Sequence, residues 1–511
     1  MNRARVLLAA GLGLAVAVLA VVGAVVPAAA PTAPTAAVAA AAAAAPAAPD
    51  AGGAICPLGD AGDGAALDVV VAAPGAPEAA GAGTDPDGSA GPARARATVV
   101  VLGDRPARTA PAPLAPGDLA VVVADVAPGG STWVGWADAP VVAWREWRRP
   151  GAPGSPRGRA AGACVRADAE TWHVVGLRTD GGSEAVLRFA NPFAVDATLA
   201  VTLVTTEGDV APIALQNLSV AAGGTLDLRV NDHAPERPDV SAIVRVTSGR
   251  AAVEGLQLAL AGVGGIDGVA LVPAATAAAT SWTLPWLPAD GDAWVRILNP
   301  SERDVELELT VHGDDGPELP PGLDGVTVPA GRLVRVPAAD LLPAGAAAVG
   351  VTLRSPTDPV VVAGAVVLDR EDAAVSGLAT LPAVPDGDER WLLAGVAGEG
   401  RRETVQLVNV DVAEVSATLT LRGADGSARD LGAVTVPAGG RREVVLPLVP
   451  DVGWSVEVAA GGAVVAARTG VGSEALDPVV AAGVPSRAWR AGAGGPLGIR
   501  RDGWTLRAPL P

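Results

Sequence analysis

The stretch from Trp294 to Gly316, WVRILNPSERDVELELTVHGDDG, decides the fold. After Asn299, the apolar residues Val305, Leu307, Leu309 and Val311 alternate with Glu306, Glu308 and Thr310, the period of a strand with one buried and one wet face. Asp315-Gly316 then supplies a tight-turn dipeptide. Two strand-like runs joined in this way make a β-hairpin-like unit, which is scaffold and carries no chemistry of its own.

The same pattern recurs on either side. Asn191, Asn299 and Asn409 each end a strand-like run, about 110 residues apart, in a chain with few asparagines. Sixteen residues past each stands an acidic-Gly pair: Glu207-Gly208, Asp315-Gly316 and Asp425-Gly426. Between them, Ala197, Leu199, Val201 and Leu203 superpose on the Val305 set and on Val415, Ala417, Leu419 and Leu421. Trp172, Trp282 and Trp391 precede the asparagines, and Ala221-Ala222-Gly223, Pro329-Ala330-Gly331 and Pro437-Ala438-Gly439 come after them as small-residue turns. A fourth, divergent copy is read upstream, where Ala97 to Asp104 resembles Ala417 to Ala424 and the run Trp133-Val134-Gly135-Trp136 echoes Trp454 to Val458.

Each clear copy offers about seven short strand candidates separated by turn signals, the length and spacing of an immunoglobulin-like β-sandwich. With 45 Pro and 64 Gly there is little room for long amphipathic helices, which disfavours an α/β enzyme fold. The expected fold is therefore all-β, with tandem immunoglobulin-like sandwiches after an N-terminal export or anchor helix. The expected boundaries are 54–166, 167–275, 276–384 and 385–486, with a tail over 487–511. Short linkers between copies predict independent two-layer cores stacked as beads on a semi-rigid rod. A Gly/Pro/Asp-rich insertion from Ala73 to Arg94 reads as a long surface loop.

Residues 1–30 read as a signal peptide or signal anchor. Arg3 and Arg5 precede an uncharged run from Val6 to Val26, long enough to cross a hydrocarbon core, and Ala28-Ala29-Ala30 suits a signal peptidase. Cleavage and retention as a membrane span are both open, and either one exports the remainder of the chain. Residues 31–53 are a low-complexity Ala/Pro spacer. The net charge of −18 opposes nucleic-acid binding, because phosphate contacts supply most non-specific affinity. The even pair Cys56 and Cys164 in an exported chain reads as a disulfide bracketing the first copy.

The ordered run Cys164, Trp172-His173-Val174-Val175-Gly176, Val186 to Pro192 and Glu207-Gly208 resembles secreted proteins of high-GC Gram-positive bacteria, the family of domain of unknown function 5719. That resemblance implies export and β-domains and supplies no activity. Asn409-Val410 departs from the Asn-Pro pairing, which puts that copy's turn in question.

No catalytic motif is present. His173, His233 and His312 each have a structural reading, and neither a Gly-x-Ser-x-Gly elbow nor a His-Glu-x-x-His motif occurs. Asp85-Pro86-Asp87-Gly88 is a fragment of a calcium loop without the later acidic ligands. Catalytic, cofactor and metal residues are thus expected to be absent. One candidate binding patch stands out: Trp133, Trp136, Trp144, Arg145, Trp147, Arg148 and Arg149, read either as core bulk in a chain without Tyr or as an aromatic, cationic surface. Trp489, Arg490, Arg500, Arg501, Trp504 and Arg507 give the C-terminal tail the same flavour. The expected role is structural or interactive at the cell envelope, with a cell-wall polymer, a lipid headgroup or an envelope protein as partner. The alternative is a carbohydrate- or peptidoglycan-directed enzyme or its accessory binding module.

Overall fold

The computed structural model of the protein describes residues 52–57, 66–75, 95–102, 108–124, 130–137, 139–150, 156–259, 268–320, 323, 325–370, 375–472 and 478–489. The expected export segment, residues 31–51 of the expected Ala/Pro spacer, most of the Ala73 to Arg94 loop with its Asp85 to Gly88 fragment, and the tail beyond Trp489 lie outside the described residues, while Gly52 and Gly53, expected in the spacer, open the first strand.

Four successive groups of strands fold alike. In copy 1, Gly52–Pro57, Ser131–Ala137, Ala95–Leu102 and Arg108–Leu114 lie side by side in one antiparallel sheet. Leu119–Ala124, Ala66–Ala72, Val142–Arg149 and Gly158–Ala163 form a second. Counted within the copy, the neighbour orders are first, sixth, third, fourth and fifth, second, seventh, eighth. Copies 2, 3 and 4 repeat both orders over residues 171–275, 281–382 and 388–482. In copies 2 and 3 the fourth strand is broken into two pieces, and in copy 4 the sixth and seventh run on as the single strand Gly453–Gly472.

The described residues are thus nearly all β and built into two-layer units, as the alternating runs predict. The strand order differs from the immunoglobulin one. There the first strand pairs with the second, whereas here it pairs with the sixth, and the seventh joins the second. The eighth strand is one more than the sequence spacing suggested.

The third strands show why the pattern folds this way. Ala197, Leu199, Val201 and Leu203 are fully buried while Thr198, Ala200 and Thr202 are half-buried, and Val305 to Val311 and Val415 to Leu421 alternate likewise. Each repeated asparagine staples the loop that feeds this strand. The Asn299 side-chain amide donates to the carbonyls of Arg303 (2.7 Å) and Val328 (3.0 Å), and its oxygen accepts from the Ser301 N–H (3.0 Å). Asn191 makes the equivalent bonds to Val195, Val220 and Phe193, and Asn409 to Ala413, Val436 and Asp411. The missing proline after Asn409 therefore leaves this loop's bonding unchanged. Cys56 in the first strand is joined to Cys164, just past the eighth, by a disulfide. Closing a loop of about 100 residues in this way is worth about 4–5 kcal/mol in the chain-entropy account.

The rod expectation is overturned. The eighth strands, Gly158–Ala163, Gly268–Ala275, Val375–Pro382 and Val479–Ala482, pack against one another in the order 1, 2, 3, 4 and back to 1, so the four sandwiches close into a ring. Thr380 Oγ1 donates to the Leu271 carbonyl (2.6 Å) across one of these contacts. The cores are not independent either. Copy 1's core takes in Leu256, Leu258, Val269 and Leu271 of copy 2, and copy 3's core takes in Val175 and Val204 of copy 2. The physical reason lies in the seventh strands: Ala252–Ala259 and Val361–Arg370 are buried along nearly their whole described length, so both faces need a partner. One face meets the copy's own core and the other meets a neighbouring copy.

Candidate functional site

Most of the buried charge is spent on the four seams between copies. At the seam of copies 1 and 2, Arg145 pairs with Glu254, and burial, with Arg188 nearby, pulls the Arg145 guanidinium down to about 9. At the next, Arg296 reaches from copy 3 to the Asp239 carboxylate and to the carbonyls of Gly176 (3.2 Å) and Pro238 (3.1 Å) of copy 2. Burial lowers it to about 10 against the pull of Asp239. Between copies 3 and 4, Arg441 donates to the Ala348 carbonyl (2.7 Å) and His312 Nδ1 to the Gly439 carbonyl (2.7 Å). Burial holds His312 below the usual histidine range.

The closing seam, copy 4 to copy 1, is the most charged. Glu146 accepts from Arg468 (3.0 Å), Arg401 (3.2 Å) and the Val396 N–H (3.1 Å), all from copy 4. Burial alone would raise its carboxyl, yet the two guanidinium groups and the N–H bring it to about 2. Glu403, in the same cluster beside Arg401, goes the other way: burial raises it more than Arg401 lowers it. Gly395 leaves the space that the Arg468 guanidinium occupies, which any side chain there would claim. Around this cluster Val70, Ala72, Val142 and Trp144 pack on Leu392, Ala394, Val396 and Trp489.

This geometry corrects the candidate binding patch. Trp144 and Trp147 are each 2% exposed, Arg145 is 1% exposed and Trp133 is buried, so the group is not an exposed aromatic surface. Successive residues of Val142–Arg149 point to opposite faces, and both faces are covered: Trp144 meets copy 4, while Trp147 sits in the core shared with copy 2. Trp136 is half-buried; Arg148 is half-exposed and bonds Asp68 (2.8 Å); Arg149 lines a cleft between copies 1 and 2. Of the C-terminal group, Trp489 is described and is buried in the closing seam; the others lie outside the described residues.

The seams are not equally filled. Five residues ahead of the loop asparagine, on the second strand, copy 3 carries Trp294, opposite Ala365 of its seventh strand. The indole is fully buried, with the guanidinium carbons of Arg335 and, from copy 2, Arg178 at 4.2 and 5.8 Å from its ring centre. The equivalent residue of copy 4 is Thr404, opposite Thr469. Here a cleft of about 690 Å³ opens between copies 3 and 4. Thr404 and Thr469 lie deep in it, Trp286 and Leu368 of copy 3 and Leu446 of copy 4 flank it, and the ion pair of Arg402 and Glu443 (2.7 Å) sits at its rim. In copy 2 the equivalent residue is Val186, which lines a cleft of about 480 Å³ against copy 1. The residues of the larger cleft went unnoticed in the sequence; the only signal was a Thr where copy 3 has Trp. Among the described residues, no group of three or more His, Cys, Asp or Glu could hold a metal ion, and no helix is long and apolar enough to cross a membrane.

No curated protein matches this chain. Several solved structures are similar in part, and two of them illustrate the likeness. One, titled Crystal Structure of Thermotoga maritima 1070, is 14% identical, covers 19% of this chain and 95% of its own, and has a TM-score of 0.18. The other is an alpha-L-rhamnosidase of Streptomyces avermitilis complexed with L-rhamnose, 12% identical, with a TM-score of 0.14. It covers 74% of this chain and 54% of its own, so the chain spans about half of that enzyme's length. Neither score is high enough to carry an argument about fold or function. Residues 141–389, from the seventh strand of copy 1 to the first strand of copy 4, match the model of a family of unknown function, DUF5719.

Proposed function

We propose that the protein is exported and serves the cell envelope as a non-catalytic structural or interaction module. The observation that carries this is the distribution of buried charge. At every seam an arginine from one copy is neutralised or hydrogen-bonded by the next, so the polar groups that an active site would need hold the ring shut instead. The disulfide supports an oxidising, extracytoplasmic compartment. The enzyme reading draws on Glu146 and Glu403, whose carboxyls are driven in opposite directions, as an acid and a base would be. Both are sealed at 1–2% exposure against arginines, which favours a structural role.

Two measurements test the proposal. Fractionation of cells making the full chain is expected to recover it outside the cytoplasm with Cys56 and Cys164 oxidised; cytoplasmic protein with free thiols would overturn export. Incubation with purified wall glycan is expected to leave glycan length unchanged by mass spectrometry. Shortened products would replace the proposal with the enzyme.

A further inference from the structure

We propose that the cleft between copies 3 and 4 is a binding site for a short neutral saccharide. This deepens the interaction role above and rests on it. The cleft's size falls within the range of small-molecule sites. It exists because copy 4 places Thr404 where copy 3 places the indole that fills the preceding seam.

The floor offers a specific polar group. Thr404 and Thr469 hydroxyls are bonded to each other (2.6 Å), and the Gln406 amide nitrogen donates to both (2.9 and 3.3 Å). Gln406 is itself fixed in orientation, its oxygen accepting from Arg441 (2.9 Å) and its nitrogen donating to Glu443 (3.0 Å). One of the two hydroxyl protons makes the Thr–Thr bond. The other is left for a group in the cleft, which both threonines line. A ligand oxygen in the cleft can accept it.

Charge and shape narrow the ligand. Of the arginines that line the cleft, Arg401 is held by Glu146 and Glu403 and Arg402 by Glu443, so each is already paired within the protein. Its flanks are apolar, from Trp286, Leu368 and Leu446, and its floor is polar. A sugar ring presents the matching pair of surfaces, C–H groups on its faces and hydroxyls around its edge. An anionic ligand would gain nothing from a balanced lining, and a purely apolar one would leave the threonine proton unmet.

The test is calorimetric titration of the purified full chain with chitotriose and maltotriose, both neutral, and with trigalacturonic acid. One neutral trisaccharide is expected to bind with one site per chain. Thr404→Trp, which copies the filled seam into this one, should abolish binding, whereas Val186→Trp, in the other cleft, should leave it intact. Thr404→Val keeps the shape, removes the hydroxyl and should weaken binding about 3- to 10-fold. The unfolding midpoint of each variant shows whether its ring is intact. The proposal is overturned if neither neutral sugar binds the folded chain, if only the acidic one does, or if binding survives in folded Thr404→Trp. Mass spectrometry of the bound sugar separates the two readings: shortening would remove the non-catalytic role and leave the site standing.

Discussion

The seams on the two sides of copy 3 are built from the same strands and finished differently. Toward copy 2, Trp294 and Arg296 fill the space; toward copy 4, the equivalent positions are Thr404 and Gln406, and the space stays open. In the first, an aromatic ring and a guanidinium reach across to the neighbour. In the second, contact is held at the margins by His312 and Arg441, with a small hydroxyl and amide network between. A seam of this ring therefore does not need its middle filled, which frees this place for something other than holding the chain together.

The comparison breaks most sharply where a buried charge is removed. Glu146→Gln leaves Arg401 and Arg468 buried without their main counter-charge and is expected to cost about 3–5 kcal/mol in denaturant unfolding. The same residue sets an acid limit. Its folded pKa, about 2, lies below the ordinary 4.5, so its contribution is complete above pH 4.5 and is lost as pH falls through about 2. The loss amounts to about 3 kcal/mol, and the Gln variant should not show it. Glu403 has the opposite sign. Its folded pKa is raised, so its contribution is present below the ordinary value and is lost as pH rises through the folded one. Glu403→Gln should therefore remove the loss of stability that sets in as pH rises above the ordinary carboxylate value, and leave the acid limb in place. Trp294→Ala, which empties the filled seam, is expected to cost about 3 kcal/mol, since the indole is fully buried but its neighbours are partly polar.

How much of this was legible depends on the strand. Third strands such as Val305–His312 alternate strictly, because one face meets the core and the other meets water, and from them the two-layer fold can be read directly. Seventh strands carried a different signal. Val360 to Leu368 is apolar throughout, as a strand covered on both faces must be, and that run already argued for neighbours on the outer face and against a rod. Residues Trp133 to Arg149 were visible as unusual, but sequence cannot separate an exposed Trp/Arg cluster from a buried one, because both need the same side chains. Burial of Trp147 and Trp144 came from two other copies more than 100 residues away. The asparagines were found by register alone; that each ties down a loop needed coordinates. Thr404 could have been found only by aligning the copies on those asparagines and asking why one lacks the Trp.

Thr404→Trp sharpens the comparison from the other side. The cleft has room for an indole, so the cost is limited to the lost hydroxyl bond, about 1 kcal/mol by thermal or denaturant unfolding. A much larger loss would mean that the open seam needs its threonine pair for stability, and the two seams would then differ in kind.

The smallest effect belongs to an arginine that resembles the seam arginines only in sequence. Arg402 pairs with Glu443 at 2.7 Å, close to the seam distances, but its side chain is 65% exposed where Arg296 and Arg468 are each 1% exposed. Water already solvates both members of the rim pair, so the attraction is screened and holding two long side chains together costs entropy. Arg402→Ala should change stability by about 0.5 kcal/mol or less, and added salt should shrink the difference further. A loss comparable to that of Glu146→Gln would show that this pair, which lies wholly within copy 4, is not screened as its exposure implies.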